Sequence, residues 1–428
     1  MNTLEQLRSG ALSGARHLQL VENLTDFPKE IFTLADTLEV LDLSNNNLSD
    51  LPAEFASLTR LKRVFLSFNQ FKHIPAVLAQ CPALVMIAFK GNQISEFAQH
   101  SLPLTTQWLI LTDNRIEQLP ASFGELKQLR KLALAGNRLR TLPSSMQQCT
   151  NLELVRLSAN NLTHLDNWLF ELPKLTWLAF AGNTFNKAQC LTKSSLENKP
   201  LSDYTLQQVI GQGASGVIHL AKAANKAVAI KLFKGAITSD GYPLDEVNCC
   251  LQANEHANLI KVLAYIEQGS QLGLVMELID NSFSNLGLPP SLQTCTRDTF
   301  ADGCNYSSQA IYKVVQQMAS TLQHLHANKV SHGDVYAHNT MVNQDADVLF
   351  GDFGAATNLA MLSEYQRQQM QLIEVRALGC LIDDLLSVCS DNNAIAVKLA
   401  QLAKQCMTTD ILQRPTLSQL STQLTTQL

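Results

Sequence analysis

The sequence lacks any long hydrophobic segment. Its first ten residues, MNTLEQLRSG, contain no apolar core of the kind that a secretory signal needs. No stretch of the 428 residues approaches the roughly 18 apolar residues of a transmembrane helix. Since 46% of the residues are hydrophobic, each half of the chain can still bury a core. These features predict a globular protein of the cytoplasm.

The sequence also lacks patterned cysteines and an excess of basic residues. Of its ten cysteines only Cys249 and Cys250 are adjacent, and no C-x-x-C pair occurs. This pattern favours reduced thiols in the cytosol over a disulfide framework or a zinc site. The net charge of −5 argues against a general binder of nucleic acid or of anionic membranes. We therefore expect no nucleic acid and no membrane among the partners.

Residues 18–185 form an internal repeat. The unit L-x-L-x-x-N-x-L recurs every 23 residues, with one interval of 22. Its asparagines are Asn46, Asn69, Asn92, Asn114, Asn137, Asn160 and Asn183. In each unit the two spaced leucines are predicted to point inward from a short strand, so that stacked units share one apolar core. The asparagine amide suits the turn after the strand, where it satisfies backbone groups.

Each unit resembles a leucine-rich repeat. The resemblance implies an α/β solenoid, or horseshoe, of seven or eight repeats of about 23 residues over residues 1–190. Residues 191–203 are polar and contain Pro200, which predicts a cap and a short linker.

The repeat register predicts which side chains lie on the concave face, because side chains alternate along a strand. The most informative of these are Phe65, Met86, Trp108, Ile110, Arg156 and Trp177. Exposed aromatic side chains beside an arginine are typical of a protein-binding hot spot. We therefore predict a protein partner or substrate on this face. The alternative is that these side chains pack against one another or against the second domain.

Four short motifs follow one another in the second half. They are residues 211–217 (GQGASGV), 228–231 (VAIK), 332–339 (HGDVYAHN) and 352–354 (DFG). Closely spaced glycines let a backbone approach phosphates, and a lysine, two aspartates and an asparagine are what phosphoryl transfer requires. Each motif alone is weak, whereas all four in this order strongly favour one interpretation.

Together the motifs resemble those of a protein kinase over residues 204–428. The resemblance implies an α+β bilobal fold that uses ATP and magnesium. It implies that Asp334 is the catalytic base and that Asn339 and Asp352 are the metal ligands. It further implies that Glu246 pairs with Lys231, with Asp245 as the competing choice. The nucleotide-binding positions that it implies are Ile210, Gly211, Gly213, Gly216, Val217, Ala229, Lys231, Met276, Glu277 and Leu278.

The sequence departs from the kinase pattern in several places. Gly333 replaces the arginine that reads an activation-loop phosphate, and Tyr336 replaces the lysine of serine/threonine kinases. The segment after Asp352 is short and has no Ala-Pro-Glu, so Arg414 lacks its usual partner; Glu364 is the nearest candidate. Residues 281–302 have no counterpart that we can name, and they are a candidate for substrate or partner binding.

These patterns predict an ATP- and magnesium-dependent protein kinase, with a serine or threonine acceptor favoured. The repeats would recruit the protein partner or substrate. Two alternatives stay open: a nucleotide-binding scaffold without turnover, and a small-molecule phosphotransferase of the same fold. Gly333 and the short segment after Asp352 favour the second alternative.

Overall fold

The structure is a computed structural model that describes residues 2–191, 195–213, 215–224, 226–235, 237 and 241–426. It divides into two compact units, Met1–Leu172 and Pro173–Leu428. Within the described residues no helix is both long enough and apolar enough to cross a membrane.

The first unit is built from the repeats. Helix α1 (Leu4–Arg8) is followed by parallel strands of three residues each, paired in sequential order. The strands are β1 (His17–Gln19), β2 (Val40–Asp42), β3 (Arg63–Phe65), β4 (Met86–Ala88), β5 (Trp108–Ile110), β6 (Lys131–Ala133) and β7 (Leu154–Arg156). Each strand residue pairs with its equivalent in the next repeat, such as Leu41 with Val64. The predicted solenoid is therefore confirmed.

Prolines start most of the turns that lead from one strand to the next. Each of these prolines directly precedes a short 3-10 segment, a position where its missing N–H costs no hydrogen bond of the segment. The segments are Lys29–Leu34, Ala53–Ser57, Ala76–Gln80, Ala121–Glu125 and Ser144–Gln148. In the last repeat of this unit a short helix, α2 (Asn167–Phe170), takes that place.

The repeat asparagines form a buried ladder. Asn114 is typical: its Nδ2 donates to the carbonyls of Phe89 (2.9 Å) and Leu111 (3.1 Å). Its Oδ1 accepts from the amide of Ile94 at 3.0 Å. A buried backbone group without a partner costs about 1–3 kcal/mol, so one side chain here satisfies several groups at once. This confirms that the asparagines are structural.

The second unit begins with the final repeat strand, β8 (Trp177–Ala179), and continues into a five-stranded antiparallel sheet. Its strands are β9 (Thr205–Gln212), β10 (Gly216–Ala223), β11 (Lys226–Phe233), β12 (Val262–Gln268) and β13 (Gln271–Glu277), in the order β12-β13-β11-β10-β9. Helix α3 (Pro243–Ala253) packs on this sheet through Val247 and Leu251, which contact Leu274. These elements form the smaller lobe.

The larger lobe is mainly helical. Its helices are α4 (Ser308–Ala327), α5 (Glu364–Leu386), α6 (Ala394–Cys406) and α7 (Leu417–Thr426). Its short strands are β14 (Ser284–Asn285), β15 (Val330–Ser331), β16 (Thr340–Val342), β17 (Val348–Phe350) and β18 (Thr357–Asn358). The strands β16 and β17 pair as a hairpin. The motifs 332–339 and 352–354 lie directly before and after this hairpin, so it brings them together.

The prediction that six concave side chains are exposed is wrong for three of them. Met86, Arg156 and Trp177 are 3%, 6% and 1% exposed. Met86 lies between Arg63 and Trp108 on the neighbouring strands, whose large side chains flank it. Trp177 belongs to the second unit, where its ring stacks on Tyr336. Its burial there is the outcome that the alternative interpretation predicted.

Phe65, Trp108 and Ile110 keep partial exposure. The ammonium group of Lys131 lies 4.2 Å from the centre of the Trp108 ring. The concave surface that remains is thus smaller than the sequence predicted, and it is centred on Trp108.

Candidate active site

Lys231 and Glu246 form a buried ion pair between the sheet and helix α3. Lys231 lies in the middle of β11, and Glu246 lies in the first turn of α3, which begins at Pro243. The Lys231 ammonium contacts Glu246 Oε1 directly, and the two side chains are 11% and 5% exposed. Asp245, the competing choice, instead lies beside Gly182. The helix therefore presents Glu246, and not Asp245, to the lysine.

Lys231 remains protonated in this setting. Burial lowers the pKa of its ammonium group, but the carboxylates of Glu246 and Asp352 outweigh burial and hold that pKa above its usual value. Asp352 Oδ1 lies 3.7 Å from the Lys231 nitrogen. A fixed positive charge of this kind suits the binding of phosphate groups.

Asp352 has a strained backbone and an exposed carboxylate. Its φ is +59° and its ψ is 78°, a left-handed conformation that is uncommon for any residue other than glycine. Its Oδ1 accepts the amide of Gly354 at 3.3 Å, and 59% of its side chain is exposed. Strain of this kind is often found at functional sites. Here it turns the carboxylate away from the core and leaves it accessible.

Asp334 and Asn339 are joined by a hydrogen bond within residues 332–339, which we call the catalytic loop after the role that the resemblance implies. The Nδ2 of Asn339 donates to both Oδ2 and the backbone carbonyl of Asp334, each at 3.0 Å. Among the described residues none donates to Asn339 Oδ1. This orientation leaves the amide oxygen available beside the aspartate carboxylate.

The donor set fits a magnesium ion. Carboxylate and amide oxygens are the ligands that Mg²⁺ prefers, and it binds through few protein ligands together with substrate phosphates. Asp352 supplies an exposed carboxylate, and Asn339 supplies an amide oxygen that accepts no bond from the described residues. No group of three or more His, Cys, Asp or Glu side chains with a metal-binding arrangement occurs in the described residues. The site therefore suits a metal ion whose remaining ligands come from the phosphates of a bound nucleotide.

Glycine occurs in the first motif, residues 211–217, for different physical reasons at different positions. A Cβ at Gly216 would lie 2.6 Å from the carbonyl oxygen of Leu232, so the pairing of β10 with β11 excludes a side chain there. A Cβ at Gly213 would meet nothing within 4 Å. Packing thus requires glycine at 216, whereas at 213 the space is open and would admit a ligand. Ala214, between them, lies outside the described residues.

The remaining predicted nucleotide positions lie on adjacent strands, except Leu278, which directly follows β13. Ala229 pairs directly with Met276, which joins β11 to β13. Ala229 is 7% exposed, Ile210 is 45% exposed and Leu278 is 36% exposed. Val217 follows Gly216 on β10, and Glu277 is the last residue of β13. The structure therefore collects these positions along one sheet, with apolar groups still accessible to solvent.

A buried carboxylate supports the catalytic loop from helix α5. Glu374 is 1% exposed. It accepts the amide of Gly333 at 2.7 Å and bonds His326 Nε2 at 2.5 Å. Burial raises the pKa of its carboxyl group, but His326 and the Gly333 amide more than offset this, so the net pKa is lowered. Glu374 is therefore charged and fixes the backbone just before Asp334.

His332 is neutral and structural. Complete burial lowers the pKa of its imidazole, and its Nε2 donates to the carbonyl of Gly351 at 2.9 Å. Its ring stacks on Phe350 with centroids 3.9 Å apart. It connects the two motifs that contain Asp334 and Asp352.

Asp298 is an anchor of the catalytic loop that the sequence did not reveal. Its Oδ2 accepts the amide of Ala337 at 2.5 Å, and its Oδ1 bonds His338 Nδ1 at 2.6 Å. Next to it, Arg297 bonds Asp383 and Asp384 of helix α5, each at 2.7 Å. Residues 281–302 therefore support the loop. The motif Cys295-Thr296-Arg297-Asp298 was visible, but nothing in it indicated a partner some 40 residues away.

Arg414 does not use the predicted carboxylate. Its guanidinium donates to the backbone carbonyls of Thr408 (3.0 Å), Leu372 (3.1 Å) and Pro173 (2.7 Å). Glu364 instead accepts bonds from Arg367 and Gln368. The expectation that Glu364 would pair with Arg414 is wrong, because Glu364 lies at the exposed start of helix α5.

Family comparisons agree with both halves of the structure. The leucine-rich repeat family matches residues 13–71, 36–94 and 127–185. The protein kinase domain family matches residues 204–374. The chain joins leucine-rich repeats to a protein kinase domain.

The kinase domain resembles kinases of more than one acceptor class. The chain is 26% identical over 189 residues to a probable serine/threonine-protein kinase of Dictyostelium discoideum, covering 42% of this chain and 34% of that protein. It is 28% identical over 162 residues to a probable myosin light chain kinase of the same organism, covering 37% and 48%. It is 27% identical over 218 residues to the insulin-like growth factor 1 receptor of Xenopus laevis, covering 48% and 16%. In each case the match spans less than half of the relative.

Proposed function

We propose that this chain is an ATP- and magnesium-dependent protein kinase whose repeats recruit a protein partner. One observation carries the proposal: an ion pair, Lys231–Glu246, and a hydrogen-bonded pair, Asp334–Asn339, occur in the same compact unit. The buried Lys231–Glu246 pair lies 3.7 Å from Asp352, and Asp334 is bonded to Asn339 at 3.0 Å. Such an arrangement positions phosphates, a metal and an acceptor hydroxyl together.

Each residue has a separate task in this proposal. Lys231, kept in place by Glu246, binds the nucleotide phosphates. Asn339 Oδ1 and the Asp352 carboxylate hold the magnesium ion, which neutralises charge on the phosphates when it is bound. Asp334 orients the acceptor hydroxyl and accepts its proton. Ala229, Met276 and the exposed Ile210 supply the apolar surface for the base.

The acceptor class and the cellular setting are proposed from separate observations. A serine or threonine acceptor is favoured because a recognition solenoid suits a protein substrate, and two of the relatives above are named serine/threonine or myosin light chain kinases. The partner would bind the concave surface at Phe65, Trp108 and Ile110. All ten cysteines are free thiols, which supports a reducing, cytoplasmic environment.

Transfer from labelled ATP tests the reaction. The full chain is incubated with labelled ATP, magnesium and a mixed serine/threonine/tyrosine peptide pool, in parallel with Asp334→Asn. We expect labelled protein or peptide with the native chain and a rate reduced about 100-fold or more in the variant. Phosphoamino-acid analysis then identifies the acceptor.

Two other outcomes would each point to an alternative. Thermal stabilisation by ATP without any transfer would indicate a scaffold, and turnover only with added small metabolites would indicate a small-molecule phosphotransferase. Lys231→Ala should also abolish stabilisation by ATP. The matched control is Lys222→Ala, because Lys222 is an exposed lysine on the neighbouring strand β10.

A further inference from the structure

The last repeat is joined to the catalytic loop by an aromatic stack. The rings of Trp177 and Tyr336 are parallel within 8°, with centroids 4.5 Å apart. The indole nitrogen of Trp177 donates to the carbonyl of Val335 at 3.1 Å. Both rings are buried, at 1% and 4% exposure. Val335 and Tyr336 directly follow Asp334, so this contact acts on the backbone of the proposed base.

The backbone of the same repeat also packs against the loop. Gly333 has a φ of +73°, and a Cβ there would lie 2.6 Å from the carbonyl oxygen of Ala355 and 3.1 Å from that of Leu178. An arginine at this position would need that space. The amide of Phe180 donates to Thr357 Oγ1 at 3.3 Å, just beyond Asp352. Gly333 is therefore the residue that lets strand β8 approach the catalytic loop closely.

Half-buried Arg376 and buried Arg414 connect the helical lobe to the start of the repeat. Arg376 Nε donates to the carbonyl of Lys174 at 3.2 Å and to Thr176 Oγ1 at 3.1 Å. Arg414 donates to the carbonyl of Pro173 at 2.7 Å and is 3% exposed. A guanidinium keeps its charge when several carbonyls surround it. These bonds occupy the arginine that the sequence left without a partner.

The other end of the repeat holds helix α3. Asn248 Nδ2 donates to the carbonyl of Cys190 at 3.1 Å. The ammonium of Lys187 lies 4.7 Å from the centre of the Tyr242 ring. Gly182 is so close to Tyr242 and Asp245 that a Cβ would come within 2.7 Å of each. Helix α3 carries Glu246, so this contact bears on the Lys231 pair.

We propose that residues 173–190 act as a built-in brace for the active site, and that Trp177 is the positioning residue for the catalytic loop. The inference rests on the proposed phosphoryl transfer. The brace contacts the loop around Asp334, the segment after Asp352 and the helix that carries Glu246. It supplies from within the chain the support that a phosphorylated activation segment would otherwise provide. The catalytic loop is then ordered without phosphorylation.

The test compares Trp177→Leu and Trp177→Phe with Leu420→Ala. Leu420 is a fully buried residue of helix α7, and its truncation destabilises the fold without touching the loop. We expect Trp177→Leu to lower kcat about 10- to 100-fold and to change KM for ATP less than about 2-fold, because misplaced groups affect the chemical step. Trp177→Phe keeps the stack and should recover much of that loss. Leu420→Ala should lower the melting temperature and leave kcat unchanged.

The proposal is overturned if Trp177→Leu retains native kcat, or if both variants lose kcat in proportion to their melting temperatures. Hydrogen exchange of the backbone amides of residues 332–339 distinguishes a failure of the brace proposal from a failure of the proposed kinase function. Even if the native chain transfers no phosphate, faster exchange there in Trp177→Leu and unchanged exchange in Leu420→Ala support the brace. Equal exchange in the two variants rejects it.

Discussion

Glu246 and Asp245 show how one residue of helical register separates two roles. The carboxylates are adjacent in the first turn of α3, but a helix turns about 100° per residue. Glu246 thus meets Lys231, while Asp245 faces Gly182 and Tyr242. The sequence offered both as partners of the lysine, and only the packing of α3 on the sheet distinguished them.

Replacing Glu246 by glutamine tests the ion pair. The amide cannot balance the Lys231 charge, so the ammonium is free to shift towards Asp352. We expect kcat/KM for ATP to fall about 10-fold or more. A buried charge without its partner is energetically unfavourable, so the Lys231 ammonium would move from the position where it binds phosphate. Steady-state kinetics measure the effect. Glu255→Gln is the control, because among the described residues Glu255 bonds only exposed Lys261, at 3.1 Å; a similar loss there would contradict the prediction.

Asp298 offers a second test at the residue scale. Asp298→Ala leaves the Ala337 amide and His338 Nδ1 without their acceptor, and the Asp298 side chain is 1% exposed. We expect the free energy of unfolding to fall by about 2–6 kcal/mol, from about 1–3 kcal/mol for each of the two groups that lose their partner. Urea denaturation measures it. Asp302→Ala, an exposed aspartate of the same segment, should change stability little; equal losses would mean that Asp298 has no special role.

At the scale of elements, helix α3 has a pH-sensitive contact with the repeat. Burial raises the pKa of the Asp245 carboxyl to about 6, against smaller lowering effects of the Ala188 amide and the Lys187 charge. Its Oδ2 is buried and has no hydrogen-bond partner among the described residues. The folded state therefore binds a proton here more tightly than the unfolded state does.

The sign of the effect follows from that pKa. An aspartate pKa raised from about 4 to about 6 stabilises the folded state at low pH, and this contribution is lost as pH rises between those values. Asp245→Asn removes the titration. We expect its free energy of unfolding, relative to the native chain, to rise by about 1–3 kcal/mol between pH 4 and pH 7. Chemical denaturation at several pH values measures this; a constant difference would contradict it.

The repeat elements show what periodicity can predict. Strand positions, register and the asparagine ladder followed from a 23-residue period, because each unit contacts only its neighbours. The same logic failed at the last copy. Trp177 occupies a concave position by sequence, but β8 belongs to the second unit, and its neighbours there are Tyr336 and Val335. Periodicity predicts the contacts between neighbouring repeats, and it gives no information about contacts with other elements.

At the scale of the whole molecule, the proposed partner surface and the proposed active site belong to different compact units. The accessible concave side chains Phe65, Trp108 and Ile110 lie in the first unit, and the four motifs lie in the second. The final repeat belongs to the second unit, where it packs against the catalytic loop and α3. The repeat array therefore ends as part of the scaffold of the proposed active site.

This organisation predicts activity that does not depend on phosphorylation. Gly333 has no side chain to read a phosphate, and the loop is held by Trp177 and Glu374. We expect phosphatase treatment to change kcat of the full chain less than about 2-fold. Removal of phosphate is verified by mass spectrometry, and a phosphorylation-dependent kinase treated in parallel shows that the phosphatase is effective. A loss of activity that rephosphorylation restores would contradict the prediction.

The sequence by itself determined the solenoid, the bilobal fold and the order of the four motifs. These depend on spacing along the chain. Examples are the interval between repeat strands, the glycines of a turn, and an aspartate and an asparagine five residues apart. Only the tertiary structure decided that Glu246 meets Lys231, that Asp298 anchors the catalytic loop, that Arg414 bonds Pro173, and that Trp177 is buried on Tyr336. Each of these contacts joins residues that are distant along the chain, and the choice of Glu246 over Asp245 is between two residues adjacent on a helix. Such contacts are set by how whole elements pack, which no local pattern records.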